Sequence, residues 1–356
     1  MQLIIEPDEG VTPLLALIKG ARESVDMAIF RFDRRDLEKA LRAAIEKGVK
    51  VSALIADANH GGEKSLRALE MRFLGAGVTV SRSASDLIRH HDKVMVIDRS
   101  ILGVLSFNFT HMDIDRSRGF GIVTEHNKWV AEALKLLDAD GNRLPYESGS
   151  DTFVVSPLNA RKVLGNFLKG AQKQLLIYDP KISDPEMIRT LKDRARAGVE
   201  IRVIGRTKAG VEVRKLAKLR LHTRTIIRDA EQAFVGSQSL RTTELDLRRE
   251  VGLIVHDAPI VAKLIETFES DWAASLEQKE LVVEPKIPDP RKPDPEKAVE
   301  VLVNELHPIA ATVKKAVEKV VAQAGDEVLE DGNVRETVRK VVKKVVKQAV
   351  RDAIKG

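Results

Sequence analysis

RHHDKVMVID (residues 89–98) and RLHTRTIIRD (residues 220–229) carry one pattern: a histidine, a cation two residues on and, after four more residues, an aspartate. Eight residues beyond each aspartate stands a serine, Ser106 in LSFNFT with Asn108, and Ser237 in VGSQS. His91 and His222, Asp98 and Asp229, and Ser106 and Ser237 are each 131 positions apart. One such motif is a weak signal. Two at a single offset, with matching serines, have no reason to arise from packing and mark an internal duplication.

The duplication extends outward. LIKGARESVDMAIF (residues 17–30) resembles FLKGAQKQLLIYDP (residues 167–180), with Gly20 and Ala21 matching Gly170 and Ala171 at an offset of 150. KGVKVSALI (residues 47–55) matches AGVEIRVIG (residues 197–205) at the same offset. Each half reads helix, strand, helix, Gly-Val, strand. Apolar residues near a 3.6-residue spacing predict a helix over 37–47 that stops at Gly48. The β-branched runs 25–30 and 49–55 predict buried strands. Alternating strands and helices give an α/β fold of two repeated half-domains, with mixed, mostly parallel sheets packed pseudo-symmetrically. The expected divisions are 1–145 and 146–283 for the repeats, 284–295 for a linker and 296–356 for a helical basic tail. The linker has five prolines in twelve residues, too many for a helix interior or a central strand.

Composition narrows the function. The 356 residues are 43% hydrophobic, enough for a sizeable core. With no cysteine, a disulfide framework, a Cys-based zinc site and a thiol nucleophile are excluded. The sequence shows no signal peptide and no span of 18 apolar residues, so a cytoplasmic location is expected, with peripheral membrane contact as its variant. Residues 335–355 hold eight basic and two acidic residues, a surplus equal to the whole net charge of +6. The rest of the chain is formally neutral, unlike a body built to grip a long nucleic acid.

The paired motifs suit phosphoryl chemistry. Two residues apart on a strand, His91 and Lys93 face the same way, as do His222 and Arg224. Pseudo-twofold packing would make the imidazoles converge. One can then attack phosphorus while the other protonates the leaving oxygen. Lys93 and Arg224 would neutralise the equatorial oxygens, and Ser106, Asn108 and Ser237 would donate to the same oxygens. No metal or other cofactor is needed, because the side chains supply the positive charge. Asp98 and Asp229 are read as strand-end carboxylates that hold the motif, and His90 as a surface residue.

These residues resemble the paired HKD motifs of the phospholipase D superfamily, over about residues 1–275. That group includes phospholipases D, cardiolipin and phosphatidylserine synthases, endonucleases and tyrosyl-DNA phosphodiesterases. The resemblance implies a phosphohistidine intermediate and places the nucleophile on the first motif, hence His91. It also implies a carboxylate about 28 residues after the histidine to orient it. Glu250 sits there for His222, whereas Gly119 occupies the place for His91, which argues for His222 as the alternative nucleophile. Departures are Arg224 for Lys, Leu105 for the Gly kept at Gly236, and Ser239 where Asn108 predicts Asn.

Three functions follow as expectations: cleavage or transfer of phospholipid phosphodiesters, a metal-independent nuclease, and an inactive phosphate-binding scaffold. The partner is accordingly a phospholipid surface or a nucleic acid. The C-terminal helix, with valines on one face and lysines on the other, is read either as a membrane contact or as a self-association helix.

Overall fold

Short Val- and Ile-rich runs, each bounded by polar or glycine residues, become the central strands of two sheets. The computed structural model of the chain describes residues 1–57 and 62–277. The first half runs β1 (Gln2–Glu6), α1 (Thr12–Gly20), β2 (Ser24–Ile29), α2 (Arg35–Glu46), β3 (Lys50–Ile55), α3 (Gly62–Gly75), β4 (Thr79–Arg82), β5 (Arg89–His90), β6 (Val94–Ile97), β7 (Ile101–Leu105), α4 (His111–Arg116), β8 (Ser117–Thr124) and α5 (Asn127–Asn142). The second runs β9 (Phe153–Ser156), α6 (Ala160–Lys169), β10 (Gln174–Asp179), α7 (Pro185–Arg196), β11 (Glu200–Gly205), β12 (Glu212–Lys215), β13 (Arg220–Leu221), β14 (Arg224–Arg228), β15 (Gln232–Gly236), α8 (Thr242–Asp246), β16 (Arg248–Val255), α9 (Ala258–Ala273) and β17 (Leu276–Glu277). The α3 helix has no counterpart between β11 and β12, which is why the repeat offset falls from 150 before it to 131 after it. Residues 284–295 and 296–356, expected as linker and basic helix, lie outside the described residues.

The helices form as their patterns dictate. Leu37, Ala40, Leu41 and Ala44 are the buried face of α2. Asp184 caps α7 by accepting from the N–H of Glu186 and Met187, with Pro185 at the first helical position. Gly48 and Gly198, at φ +91° and +89°, supply the left-handed residue that ends α2 and α7.

The first sheet runs β1-β8-β7-β6-β2-β3-β4, and the second runs β17-β12-β11-β10-β14-β15-β16 with β9 also on β16. Both are mixed, as expected, but the parallel share is smaller than expected. Parallel pairs join β2–β3–β4 and β10–β11–β12, where α2 and α7 provide the crossovers. The motif strands continue as antiparallel neighbours, β6–β7–β8 and β14–β15–β16, because the turns between β6 and β7 and between β14 and β15 are too short for a crossover. At those turns Asp98 and Asp229 stand at φ +49° and +55°. Asp98 accepts from the backbone N–H of Arg22, Glu23 and Ser24, and Asp229 from those of Gln172, Lys173 and Gln174, at 2.7–3.1 Å.

Two two-residue strands cross between the halves. β5 pairs in parallel with β16, Arg89 opposite Arg248 and His90 opposite Arg249. β13 pairs in parallel with β8, Arg220 opposite Ser117 and Leu221 opposite Arg118. The exchange is reciprocal, each member being 131 residues from its counterpart. Around it the halves share one core, in which Phe120, Tyr178, Phe153, Leu253 and Phe268 pack with Trp129 of α5 and Trp272 of α9. The other sheet faces bury separate cores beneath α1–α3 and beneath α6–α7.

Buried ion pairs lock the exchange. Arg118 donates through Nε and Nη2 to Asp271 at 2.8 and 3.0 Å, and through Nη1 to the Glu6 carbonyl. Arg249 donates through Nε and Nη2 to Asp140, both at 2.9 Å, and through Nη1 to the Ser156 carbonyl. Each arginine thus meets a carboxylate of the other half. Asp271→Ala leaves the Arg118 guanidinium buried without its bidentate partner, and unfolding in urea should show a loss of about 3–5 kcal/mol. Pairing that change with Arg118→Met should restore most of the loss. A second expectation concerns Glu6, which is fully buried. Burial pushes its carboxyl up to about 8, against a lowering contact with the Gly10 backbone. The fold therefore holds the neutral acid. Its contribution is complete below the unfolded value near 4.5 and is lost as pH rises through about 8. Glu6→Gln should melt above the parent at pH 8, with the difference vanishing near pH 4.5.

Candidate active site

The exchanged strands deliver the histidines. His91 follows β5 directly, its N–H donating to the Arg249 carbonyl at 2.8 Å; His222 follows β13, its N–H donating to the Arg118 carbonyl at 3.2 Å. Residues 91–93 form the link by which the chain passes from the other half's sheet back to its own, so His91 and Lys93 precede β6 rather than standing within it. Their side chains still meet, Lys93 Nζ lying 3.1 Å from His91 Nδ1.

His91, Lys93, His222 and Arg224 come together at the interface of the halves. Lys93 and Arg224 each act electrostatically on both imidazoles. Burial foremost, and then these cations, hold His91 well below the usual histidine range. Burial also holds His222 well below it, against the opposing pull of Asp113. Burial likewise brings Lys93 down to about 8. Lys93 and Arg224 each also donate to the carbonyl of the histidine two residues earlier.

Glu250 is a partner of His91, not of His222. Its Oε2 lies 2.9 Å from His91 Nδ1, and the carboxylate is fully buried. The correction follows from the strand exchange: a residue 28 positions after one histidine lies on the strand that receives the other. Nδ1 cannot both donate to Glu250 and accept from Lys93. A proton on Nδ1, directed to the carboxylate, leaves the Nε2 lone pair free. At Gly119, the equivalent position in the first half, a Cβ would come within 2.9 Å of the Phe107 ring, so no carboxylate fits. His222 instead has its Nδ1 2.9 Å from the Ser106 carbonyl.

Asp113, which the sequence reading passed over, faces His222. Its Oδ2 lies 3.5 Å from His222 Nε2. It also accepts from Asn108 N and Nδ2 at 2.9 and 2.7 Å, and its Oδ1 accepts from Arg220 Nη1 at 2.7 Å. Burial would raise this carboxyl, but His222, Asn108 and Arg220 outweigh it and bring it to about 2. The signal was present in the sequence, since Asp113 and Glu244 stand at the motif offset of 131.

The remaining expected residues make hydrogen bonds of their own. Ser106 Oγ accepts from Phe120 N at 2.9 Å, Ser237 Oγ from Val251 N at 3.3 Å, and Asn108 is held by Asp113. Each thus fixes a strand or loop beside the histidines. Asp98 and Asp229 lie at the far ends of β6 and β14 and do not join the site. His90 is buried and not at the surface, 3.8 Å from Asp140.

A family profile described as "Cardiolipin synthase, PLD-like domain" matches residues 14–140 and 205–272, more than half of the chain. The chain belongs to the phospholipase D superfamily. The cardiolipin synthase of Staphylococcus aureus strain Mu50 is 25% identical over 336 residues, covering 78% of this chain and 68% of that one. The human mitochondrial cardiolipin hydrolase is 25% identical over 130 residues, 35% of this chain. The chain spans only 47% of that relative's length. Among solved structures, phosphatidylserine synthase from Haemophilus influenzae Rd KW20 aligns with a TM-score of 0.63, 12% identity, 87% of this chain and 93% of that chain. Polyphosphate kinase from Porphyromonas gingivalis aligns with a TM-score of 0.65 and 19% identity, over 76% of this chain and 47% of that chain. Both share the fold.

The asymmetry between the two imidazoles is measurable. Asp113→Asn removes the charge that favours the imidazolium of His222. A histidine-resolved NMR titration should show His222 titrating at lower pH than in the parent, with His91 shifted much less.

Proposed function

We propose that the chain is a phospholipid phosphodiesterase, or phosphatidyltransferase, that works through a phosphohistidine at His91 with His222 as acid and base. The observation that carries this reading is the Glu250–His91 hydrogen bond, which presents Nε2 of one imidazole as a nucleophile while Asp113 favours the charged form of the other. His91 Nε2 attacks phosphorus, the bond to the leaving alcohol breaks, and that oxygen takes the proton from His222 Nε2. Water or a second alcohol then gives its proton to His222 as its oxygen attacks phosphorus. The P–N bond breaks and His91 is restored. Lys93 and Arg224 offset the charge that builds on the equatorial oxygens. Ser106, Asn108 and Ser237 hold the surrounding backbone.

A lipid substrate is favoured by the domain description and by the staphylococcal relative. Among the described residues no helix is long and apolar enough to cross a membrane. Contact with the lipid surface is proposed to be peripheral, with the basic C-terminal stretch as a further contact or a self-association element.

Purified full-length protein with excess EDTA should cleave mixed phospholipid vesicles and leave single-stranded DNA intact. His91→Ala and His222→Ala should each lower turnover by about 10²–10⁴-fold or more. Glu250→Gln should lower kcat with KM little changed, because it alters the orientation and basicity of His91 and not the capture of phosphate. Cleavage of DNA alone would replace the lipid reading with a nuclease. Full activity in His91→Ala would remove the phosphohistidine.

A further inference from the structure

Strand direction puts one set of connections around the histidines. β2, β3 and β4 run parallel, and Val94 at the start of β6 stands opposite Ala28 near the end of β2. His91 and Lys93, which precede β6, therefore lie at the edge where the parallel strands end. β7 ends and β8 begins at the same edge. Residues 83–88 and 106–116 are connections of that edge, as are 216–219 and 237–247 in the second half.

Apolar side chains are exposed there. Ile88 is 60% and Leu247 44% exposed, and the Ile88 N–H donates to the Leu247 carbonyl at 3.0 Å. The pair forms a tip ahead of the β5–β16 ladder, Ile88 three residues before His91 and Leu247 three before Glu250. An extended chain rises about 3.3 Å per residue, so the tip stands about 10 Å from the catalytic pair. Met112, 49% exposed, is next to Asp113, whose carboxylate faces His222. At the offset of 131 the counterparts of Ile88 and Leu247 are Leu219 and Arg116. Leu219 is half-buried between exposed Lys218 and Arg220, and Arg116 is exposed.

Points exchanged by a twofold axis stand at equal height along it. The axis that relates the reciprocal strand pairs relates the tip at Ile88 to the tip at Leu219. A flat surface normal to that axis therefore meets both tips at once and covers the histidines between them. Exposed isoleucine, leucine and methionine gain from leaving water, and a hydrated phosphate backbone gives them little to bury against. Arg116 and Lys218 suit anionic headgroups. Asp86 is exposed beside the first tip, so the charge attraction falls to the second.

We propose that Ile88, Leu247 and Met112, with Leu219 between Lys218 and Arg220, form the face by which the protein seats on an anionic phospholipid surface, the mouth of the site lying over the headgroups. What is cleaved in that mouth rests on the lipid reading above; the seating concerns binding alone.

The chain has no cysteine, so a single one can be labelled at a chosen position. Full-length Ile88→Cys, Leu247→Cys and Met112→Cys, each carrying an environment-sensitive fluorophore, are mixed with phosphatidylglycerol–phosphatidylcholine vesicles whose acyl chains carry bromine. The control is Leu74→Cys. Leu74 is 50% exposed at the end of α3, close to the start of β4 and hence at the opposite edge of the sheet. The three labels at the site edge should be quenched at least about fivefold more strongly than the Leu74 label. Each label reports its own surroundings, so binding through the basic stretch 335–355 leaves the comparison of edges intact. Equal quenching at both edges, stronger quenching at Leu74, or none at Ile88 and Leu247 overturns the face. A response of these labels to single-stranded DNA and not to vesicles assigns the face to nucleic acid and overturns the membrane. Ile88→Asp with Leu247→Asp should lower turnover of vesicle lipid at least about tenfold more than turnover of bis(p-nitrophenyl) phosphate, and equal losses overturn the face as the route to substrate. Absence of all turnover in the parent, with the quenching pattern intact, would sink the phosphodiesterase reading and leave the seating in place.

Discussion

Each half of the molecule lends a two-residue strand to the sheet of the other, and the site depends on that exchange. β5 and β13 are too short to be stable alone; they persist because their backbone groups complete the edges of β16 and β8 and because Arg118 and Arg249 anchor the receiving strands. The histidines follow the borrowed strands directly. Their backbone N–H groups are fixed to the partner half, while β6 and β14 return to the half of origin. Separating the halves would unpair the edges, expose the shared core around Tyr178 and Phe268, and divide the catalytic groups.

The same exchange explains why a duplicated chain has an unequal site. Residues that follow one motif serve the histidine of the other, so the carboxylate lost or kept in one half acts on the imidazole of the other. Glu250 reaches His91, and the space at Gly119 is taken by Phe107, so His222 has a carbonyl at Nδ1 instead. Asp113 faces the Nε2 of His222, whereas its counterpart Glu244 is drawn into contacts with Arg241, Arg248 and Arg224. Two desolvated imidazoles, both held below the usual histidine range, share two cations, and unequal carboxylates give them different tasks.

Much of this was legible in the chain. The offsets of 150 and 131 gave the duplication, and the Gly-Val and β-branched runs gave the parallel units. The matched serines and strand-end aspartates gave the limits of the motif. Asp98 and Asp229 cap three backbone N–H groups each, as strand-end carboxylates should. The antiparallel majority was less visible, because β6–β7 and β14–β15 turn within a few residues and leave little composition to read. The same offset also links Arg118 with Arg249 and Asp140 with Asp271. Those pairs could have been found by extending the comparison beyond the motif.

By itself, the sequence determined the repeat, the α/β class, and the two histidine–cation pairs, since these depend on spacing along the chain and on residue type. Only the tertiary structure decided which carboxylate serves which histidine and that Asp113 joins the site. Those are contacts between residues more than a hundred positions apart, made across the strand exchange. A count along one motif assigns Glu250 to its own half, whereas hydrogen bonding across the interface carries it to the other.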